Sequence, residues 1–348
     1  MRFFDAHCDT ILKIVENGAD FTVPGGMHVT LPEMLEAGVC AQIFAACVVA
    51  ERSHGREDEI AMQMVRRVGS LCEEYPDRLV LARTATEIES ACAGSGRIAA
   101  IPALEGADPL LGDAWALTGF HREGVRLLTL AWSDNAFCGT ARGSGAGLTR
   151  KGQDLVGLCE ELGVMVDVSH ASDQALWDVC SVATKPFVAS HSNCRELCPT
   201  VRNLTDEMIR AIGERGGVVG VNLYSGFLSP KFSTQAEDYE QRAMSAVESG
   251  ETTYEEAGAA ISAHIATMPR PPLSTLIDHV HHIIRVGGED CVGLGGDLDG
   301  IDSAPAEIRG VADYPKITRL LEEAGLSADR IEKACHGNFE RVFREVVA

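Results

Sequence analysis

The sequence predicts an α/β fold in which parallel strands alternate with helices, and three observations lead to this prediction. Short apolar runs recur along the chain, and several are apolar at nearly every position, as expected of parallel strands covered on both faces. Segments with helical periodicity lie between most of these runs. The chain has 348 residues, which is enough for eight such units, and this favours a (β/α)8 barrel.

The predicted strands and helices follow one another in regular order. The strands are expected at 2–5, 41–49, 98–104, 125–131, 164–168, 186–189, 217–223 and 291–294. The helices are expected at 57–75, 152–162, 172–181, 206–213, 274–286, 315–323 and 328–347. A doubly wound open sheet is the alternative, but no GxGxxG follows an early strand, so a dinucleotide-binding version has little support.

One segment interrupts this order. Residues 229–272 separate the seventh strand from its helix and contain no apolar strand, only acidic helical stretches at 237–248 and 253–267. A connection of this length usually forms a lid, a binding loop or an oligomer contact. No repeat or linker marks a second domain. We therefore expect residues 1–348 to form a single domain with a helical insertion at about 229–272.

Composition excludes several classes of partner. The formal charge of −21 argues against nucleic acid and against an anionic membrane surface. The longest nearly apolar run, 38–50, contains Gln42 and is too short to span a bilayer. No basic segment followed by an apolar one opens the chain, so a cytoplasmic protein is expected. Its 12 cysteines include no CxxC pair and are expected to be reduced.

The first strand ends in FDAHCDT, residues 4–10, which carries the first chemical signal. His7 and Asp9 are two positions apart and would point to the same face of a strand, with Asp5 on that side as well. An imidazole and a carboxylate aimed at one point suit a divalent metal. A polar strand end with hydrogen-bonded side chains is the alternative reading of this motif alone.

Ligand-type residues also follow four other predicted strands. The third strand ends at Glu105, the fifth at His170, the sixth at His191, and the eighth at Asp297 and Asp299. The carboxyl ends of barrel strands are where barrel enzymes place their reactive groups. These groups exceed the needs of one tetrahedral zinc, whereas two metals bridged by a carboxylate fit better.

On this reading Glu105 belongs to both ions. His7 and Asp9 complete the first ion's ligands, and His170 and His191 complete the second's. Asp297 is left over as a general base and later acid.

Several longer motifs carry a resemblance that covers nearly the whole chain. They are LEG around Glu105, RLLTLAWSDN at 126–135, VDVSH at 166–170, SHS at 190–192, VRN at 201–203 and GLGGDLDG at 293–300. With these motifs the sequence resembles the membrane (renal) dipeptidase family, the M19 metallopeptidases of the amidohydrolase superfamily. The resemblance implies a TIM barrel of the metal-dependent hydrolase type and a dipeptide substrate, including L-D dipeptides.

The resemblance also implies a role for individual residues. It implies two Zn²⁺ ions per chain, bridged by Glu105 and a hydroxide, with ligands His7, Asp9, Glu105, His170 and His191. Asp297 is expected to move the proton, and Arg202 to bind the terminal carboxylate of the dipeptide. A guanidinium binds a carboxylate bidentately and stays charged, which supports the assignment of Arg202. Asn222 and Tyr224, after the seventh strand, are further substrate-binding candidates.

One position departs from the family pattern. Some members carry a histidine after the fourth strand that contacts the substrate, and the aligned residue here is Trp132. Tryptophan has one donor and does not titrate, so the substrate is left open: another amidohydrolase acting on a non-peptide amide or an N-acyl amino acid is the alternative. A loop at 139–147 is rich in glycine and is expected over the pocket, where Arg142 binds an acidic side chain or is solvated. A homodimer is left open.

Overall fold

A curled parallel sheet forms the centre of the protein. The computed structural model describes residues 1–49, 53 and 55–347. In the order β6-β5-β4-β2-β1-β8-β7 each strand pairs with the next, and β3 pairs with β4 outside this path. The strands are β1 Phe3–Cys8, β2 Val39–Cys47, β3 Leu79–Leu81, β4 Ile98–Glu105, β5 Leu127–Thr129, β6 Met165–Asp167, β7 Val219–Val221 and β8 Val292–Leu294.

Helices follow the strands, as predicted. They are α1 Thr10–Asn17, α2 Leu31–Ala37, α3 Glu57–Glu74, α4 Ala85–Cys92, α5 Leu117–Glu123, α6 Arg150–Leu162, α7 Asp173–Val182, α8 Asp206–Glu214, α9 Ser225–Leu228, α10 Pro230–Glu248, α11 Tyr254–Thr267, α12 Ser274–Gly287, α13 Pro315–Glu323, α14 Ala328–Glu332 and α15 Asn338–Val346. A π-helical segment, Lys333–Gly337, joins α14 to α15. Outside residues 229–272 the predicted helices are confirmed to within about two residues, except that the helix predicted at 328–347 is divided by the π-helical segment. The helices α1, α2, α4, α5 and α9 were not predicted.

The segment predicted as the sixth strand is not a regular strand. It makes single parallel bridges on both sides, Asp167 with Val188 and Ala189 with Val219. The Val188 N–H donates to Val166 O at 3.0 Å, and the Ala189 N–H to Val218 O at 3.0 Å. Residues 186–190 therefore lie between β6 and β7, the two outer strands of the ordered sheet.

Two glycines allow this segment to approach its neighbours. A Cβ atom at Gly220 would lie 1.9 Å from the Ser190 carbonyl oxygen, and one at Gly295 would lie 1.7 Å from the same atom. Because any side chain at either position would collide with backbone, glycine sets how closely β7 and the start of the β8 loop pack against residue 190. That residue directly precedes His191.

An apolar cluster fills the inside of the sheet towards the amino ends of the strands. Phe4 packs against Phe339 and Phe343 of α15, with ring centroids 5.5 and 5.4 Å apart. Ile43 and Ile101 belong to the same buried cluster. The inward positions at the other end of the strands are free for polar side chains.

A pair of helices occupies the segment 229–272. α10 begins earlier than predicted because Pro230 is at the first helical position and the Ser229 hydroxyl accepts from the Phe232 N–H. α10 and α11 pack together through Phe232, Ala236, Ile265 and Met268. Within the described residues, no helix has the length and hydropathy needed to cross a membrane.

Candidate active site

The carboxylate of Glu105 lies at the centre of a group of imidazoles. Its Oε2 is 3.5 Å from Nε2 of His7. Its Oε1 is 3.0 Å from Nε2 of His170 and 3.5 Å from Nε2 of His191. Asp9 Oδ2 lies 3.6 Å from His7 Nε2. Each oxygen of Glu105 therefore faces a different set of nitrogen atoms, which is the arrangement that a bridging carboxylate requires.

Strand ends bring these side chains together. His7 is near the carboxyl end of β1, Asp9 directly precedes α1, and Glu105 is the last residue of β4. His170 follows β6 by three residues, and His191 follows the segment 186–190. Parallel strands end at a common edge, so residues distant in sequence meet there. The five side chains that the sequence singles out as ligands therefore lie together at this edge.

The donor set fits a metal centre. His7 is fully buried, and neither of its ring nitrogens has a hydrogen-bond partner among the described residues. Buried polar atoms rarely lack a partner. Ligand atoms lie within 4.8 Å of one another in three groups: His7, Glu105 and His191; His7, Asp9 and Asp297; and Asp9, Cys47 and Glu105. Imidazole and carboxylate donors together suit borderline and hard divalent cations.

The carboxylates of the site repel one another. Burial opposes the charge of Glu105, but His7 and His170 hold its pKa well below the usual range. Burial and the charge of Glu105 raise the pKa of Asp9 to about 8. Burial, opposed by His7, raises the pKa of Asp297 to about 6. A bound cation would relieve this concentration of buried negative charge.

The two aspartates after β8 have different surroundings. Asp297 accepts a hydrogen bond from Nδ2 of Asn222 at 2.8 Å, and its own N–H donates to His7 O at 3.0 Å. Asp299 instead accepts from the Thr10 hydroxyl at 2.6 Å and from the His28 N–H at 2.8 Å. Asp297 thus lies with the candidate metal ligands His7 and Asp9, whereas Asp299 connects the loop at residue 28 to α1.

Two residues of the site adopt left-handed backbone conformations. His170 has φ of 66° and Asp297 has φ of 57°. Few residues other than glycine adopt this region, because Cβ then approaches the following carbonyl oxygen. These two backbones turn sharply just after a strand, and the turn aims each side chain at the cluster.

A cavity of about 580 Å³ opens onto the cluster. Asp9, Glu105, His170 and Asp297 line it on one side, and Tyr254, Ile261 and Ile265 of α11 on another. Trp132, Tyr224 and Arg202 also line it. Asn222 does not appear on the cavity wall: it is fully buried and reaches the site through its hydrogen bond to Asp297.

Arg202 is a buried cation without a carboxylate partner among the described residues. It is 5% exposed, and its guanidinium donates two long hydrogen bonds, to Ser192 Oγ at 3.4 Å and His191 O at 3.3 Å. Its Nε has no partner within the described part of the chain, and the guanidinium lies 5.2 Å from the Phe227 ring centroid. Burial lowers its pKa to about 10, so the group stays charged at neutral pH.

Trp132 and Arg142 lie on the cavity wall with different partners. The Trp132 ring centroid is 6.4 Å from that of His170. Arg142 Nη1 lies 3.2 Å from Glu240 Oε2, which joins the glycine-rich loop at 139–147 to α10. Asp134 anchors the same loop by accepting from the Thr140 and Ser144 N–H groups, both at 2.7 Å. Arg142 is therefore paired with a carboxylate, whereas Arg202 has no carboxylate partner in the part of the chain that the structure describes.

Three residues near the site were missed by sequence reasoning. Cys47 ends β2, at the same edge as the ligands, and strand position alone could have indicated it. Asp167 and Ser190 lie beneath His191, and their roles depend on contacts between strands that no local pattern reveals.

Asp5 was expected on the side of His7 and Asp9, but it accepts from the Gly296 N–H and the Tyr314 hydroxyl at 2.7 and 2.6 Å, so it supports the β8 end.

The chain is similar to other proteins in both sequence and structure. An uncharacterized protein from the pqqA 5′ region of Klebsiella pneumoniae is 33% identical over 296 residues, covering 83% of this chain and 96% of that protein. The solved structure of the dipeptidase AC, a metallopeptidase of family M19, has a TM-score of 0.84 and 28% identity, and covers 100% of this chain and 99% of its own.

A second solved structure carries a ligand. It is a metallopeptidase from Rhodobacter sphaeroides liganded with a phosphinate mimic of the dipeptide L-Ala-D-Ala. Its TM-score is 0.83 at 27% identity, with 99% of both chains covered. The family model described as membrane dipeptidase (peptidase family M19) matches residues 1–348. Together with the clustered imidazoles and carboxylates, this match shows that the chain belongs to the M19 family of metallo-dipeptidases.

Proposed function

We propose that the protein hydrolyses dipeptides at a centre of two zinc ions held by His7, Asp9, Glu105, His170 and His191. The observation that carries this proposal is the placement of Glu105, whose two oxygens face His7 on one side and the other two histidines on the other. Membership of a metallopeptidase family supports the use of metal ions. The ring nitrogens of buried His7, which have no hydrogen-bond partner among the described residues, support it independently.

Asp297 and Asn222 have separate roles in the proposed reaction. Bound ions would lower the pKa of a water molecule and polarise the scissile carbonyl. Asp297 accepts the proton of the attacking water and later delivers it to the leaving amine. Burial raises the pKa of Asp297 to about 6 in the metal-free protein, and bound cations would lower it, so at neutral pH the carboxylate would be ionised and able to accept a proton. Asn222 holds the Asp297 carboxylate in place.

Arg202 binds the terminal carboxylate of the substrate. It is buried on the cavity wall, charged, and without a carboxylate partner among the described residues, so a substrate carboxylate would supply one. A dipeptide places its carboxylate one residue beyond the scissile bond, whereas a tripeptide places it further away. Trp132 and Tyr224 form other parts of the same wall and contact the substrate side chains. The dipeptide mimic in the Rhodobacter sphaeroides relative supports L-D dipeptides as substrates.

The contacts of residues 186–190 also bear on whether the sheet closes into a barrel. We infer a closed (β/α)8 barrel because residues 186–190 bridge the two outer strands of the sheet. The chain then forms one domain, 1–348, with the helices α10 and α11 as an insertion at about 229–272. The side chains of α11 on the cavity wall support a role for this insertion in enclosing the substrate.

A comparison of three substrates tests the proposal. The kcat/KM of the zinc-loaded protein is measured for a dipeptide, its C-terminal amide and its one-residue extension. The dipeptide should be preferred by roughly 10²-fold or more, because the other two leave a buried charge unpaired. Arg202→Met should remove the preference. Arg142→Met is the matched control, since it removes a guanidinium from the same cavity and should keep the preference. Equal rates on all three substrates in the wild type would contradict the proposal.

N-acyl amino acids are the second candidate substrates. The observation that favours testing them is Trp132, which stands where some members of the family have a histidine that contacts the substrate. Such compounds keep the carboxylate that Arg202 binds but lack the free amine of a dipeptide. Faster turnover of an N-acetyl amino acid than of the matching dipeptide would assign the protein to that activity instead.

A further inference from the structure

The imidazole of His191 makes a polar contact at each of its nitrogens. Its Nε2 faces the cluster, 2.9 Å from Nε2 of His170 and 3.5 Å from Oε1 of Glu105. Its Nδ1 lies 2.8 Å from the Ser190 hydroxyl oxygen. A neutral imidazole carries one proton, so Nε2 has a lone pair for a metal only when that proton is on Nδ1.

The Ser190 hydroxyl decides where that proton lies. Its oxygen is 2.6 Å from Oδ2 of Asp167, and an ionised carboxylate can only accept. Ser190 has a single hydroxyl proton, which it donates to Asp167. Its oxygen is then left to accept from Nδ1 of His191. Ser169 Oγ also lies near the Ser190 hydroxyl oxygen, but at the longer distance of 3.4 Å.

The surroundings of Asp167 keep it an acceptor. The N–H groups of Ser169 and Ser190 donate to its Oδ1 at 2.9 and 2.8 Å. The hydroxyls of Thr129 and Ser190 donate to its Oδ2, both at 2.6 Å. Asp167 is fully buried, and these four donors come from β5, the turn after β6 and the segment 186–190. Such a network satisfies the carboxylate completely and leaves it no proton to donate.

We propose that Asp167 is a positioning residue that acts through Ser190 to hold His191 in the Nδ1–H tautomer. The lone pair of Nε2 then points at the centre formed with Glu105. This inference rests on the proposed metal centre for its purpose, but the tautomer itself is a property of the metal-free protein. Asp167 and Ser190 are fully buried and do not line the cavity.

Asp167→Asn reverses the direction of the chain of hydrogen bonds. The amide oxygen takes the place of Oδ1, where two backbone N–H groups donate, so the amide NH2 faces the Thr129 and Ser190 hydroxyls. Ser190 then accepts from the amide and donates its proton to Nδ1 of His191. The imidazole proton moves to Nε2, where it blocks a metal. Thr129→Val is the matched control, because it removes one donor from the same carboxylate oxygen and leaves the path from Asp167 to His191 intact.

The tautomer is read directly in metal-free protein with ¹⁵N-labelled histidine. Long-range ¹H–¹⁵N spectra distinguish the two tautomers, and His191→Gln identifies the His191 signals by their loss. The wild type and Thr129→Val should show the Nδ1–H form, and Asp167→Asn the Nε2–H form. An Nε2–H form in the wild type, or an unchanged tautomer in Asp167→Asn, would overturn the inference.

Zinc affinity provides the second measurement, by competition with a chromophoric chelator. Asp167→Asn should bind zinc roughly 10–100-fold more weakly than the wild type, the usual effect of losing such a partner, while Thr129→Val should stay close to the wild type. If Asp167→Asn does not fold, Ser190→Ala replaces it and should weaken zinc binding in the same direction; unchanged affinity there refutes the inference. A wild type that binds no zinc would refute the proposed function, whereas the tautomer measurement would still stand.

Discussion

At the scale of single residues, the surroundings of each aspartate decide what it can do. Asp297 and Asp299 come from one motif, GLGGDLDG, from which the sequence analysis selected Asp297 for proton transfer. The structure separates them because the acceptor oxygens of Asp299 are used by Thr10 and residues 28 and 29. The ligand-type residues could be singled out because each lies at or just after the carboxyl end of a strand or of the segment 186–190. Asp167 could not, because its partners come from three separate segments.

Asp297 should act on protons without holding the metals. Asp297→Asn keeps an acceptor oxygen and the approximate shape, so most bound zinc should remain. Its kcat should fall by roughly 10²–10⁴, the usual effect of losing a positioned acid or base. Zinc content after dialysis and kcat on one good dipeptide are the measurements. Loss of zinc together with activity would identify Asp297 as a ligand.

Glu105 should be required for metal occupancy. An amide offers one oxygen and no charge, so Glu105→Gln cannot bridge two cations. Metal analysis of the zinc-loaded wild type should approach two ions per chain, as expected of a two-metal site, and the variant should fall well below this. A fully active variant, or a wild type that is fully active with one ion, would be incompatible with the bridging arrangement.

At the scale of elements, periodicity predicted the long helices, but pairing contacts decided the strands. Residues 186–190 form one bridge to each neighbouring strand, Asp167 with Val188 and Ala189 with Val219, instead of a continuous ladder. β3 was missed because only three of its residues pair with β4. Gly220 and Gly295 were not recognised as close contacts, since only the folded structure brings the Ser190 carbonyl against them.

Gly220→Ala should disturb the segment that carries His191. The added Cβ would lie 1.9 Å from Ser190 O, a backbone atom that cannot rotate away. We expect the free energy of unfolding to fall by about 1–3 kcal/mol or more, with weaker zinc binding. Gly157→Ala is the control, because its Cβ meets nothing within 4 Å inside α6. That change should stabilise the protein by about 0.5–1 kcal/mol. Equal effects of the two substitutions in denaturant titrations would contradict this account.

At the scale of the whole molecule, a buried histidine makes the fold sensitive to acid. His279 of α12 is fully buried; its Nδ1 accepts from the Cys194 N–H at 3.1 Å, and its Nε2 donates to Leu228 O at 3.2 Å. It therefore joins α12 to the chain around residue 194 and to α9. Burial lowers its pKa to about 4. The native state thus holds this imidazole neutral where an unfolded chain would protonate it.

The contribution of His279 should be lost as the pH falls. Its folded pKa is below the unfolded value of about 6.5, so the stabilisation is complete above that pH and decreases down to about pH 4. The full effect is on the order of 3 kcal/mol. Unfolding free energies of metal-free wild type and His279→Asn, measured between pH 7 and 5, should converge as the pH falls. A difference that stays constant would show that His279 does not titrate on unfolding.

The left-handed backbones of His170 and Asp297 have a consequence for how such a protein changes under selection. Each conformation costs roughly 1 kcal/mol or more for a residue with a side chain, and glycine would remove that cost. Asp297→Gly would also remove one of three mutually repelling buried carboxylates. A screen for thermal tolerance alone, run on metal-free protein, would therefore favour replacing residues that we propose for metal binding and proton transfer. Stability engineering of this fold needs an activity screen in every round, because its two goals conflict at these turns.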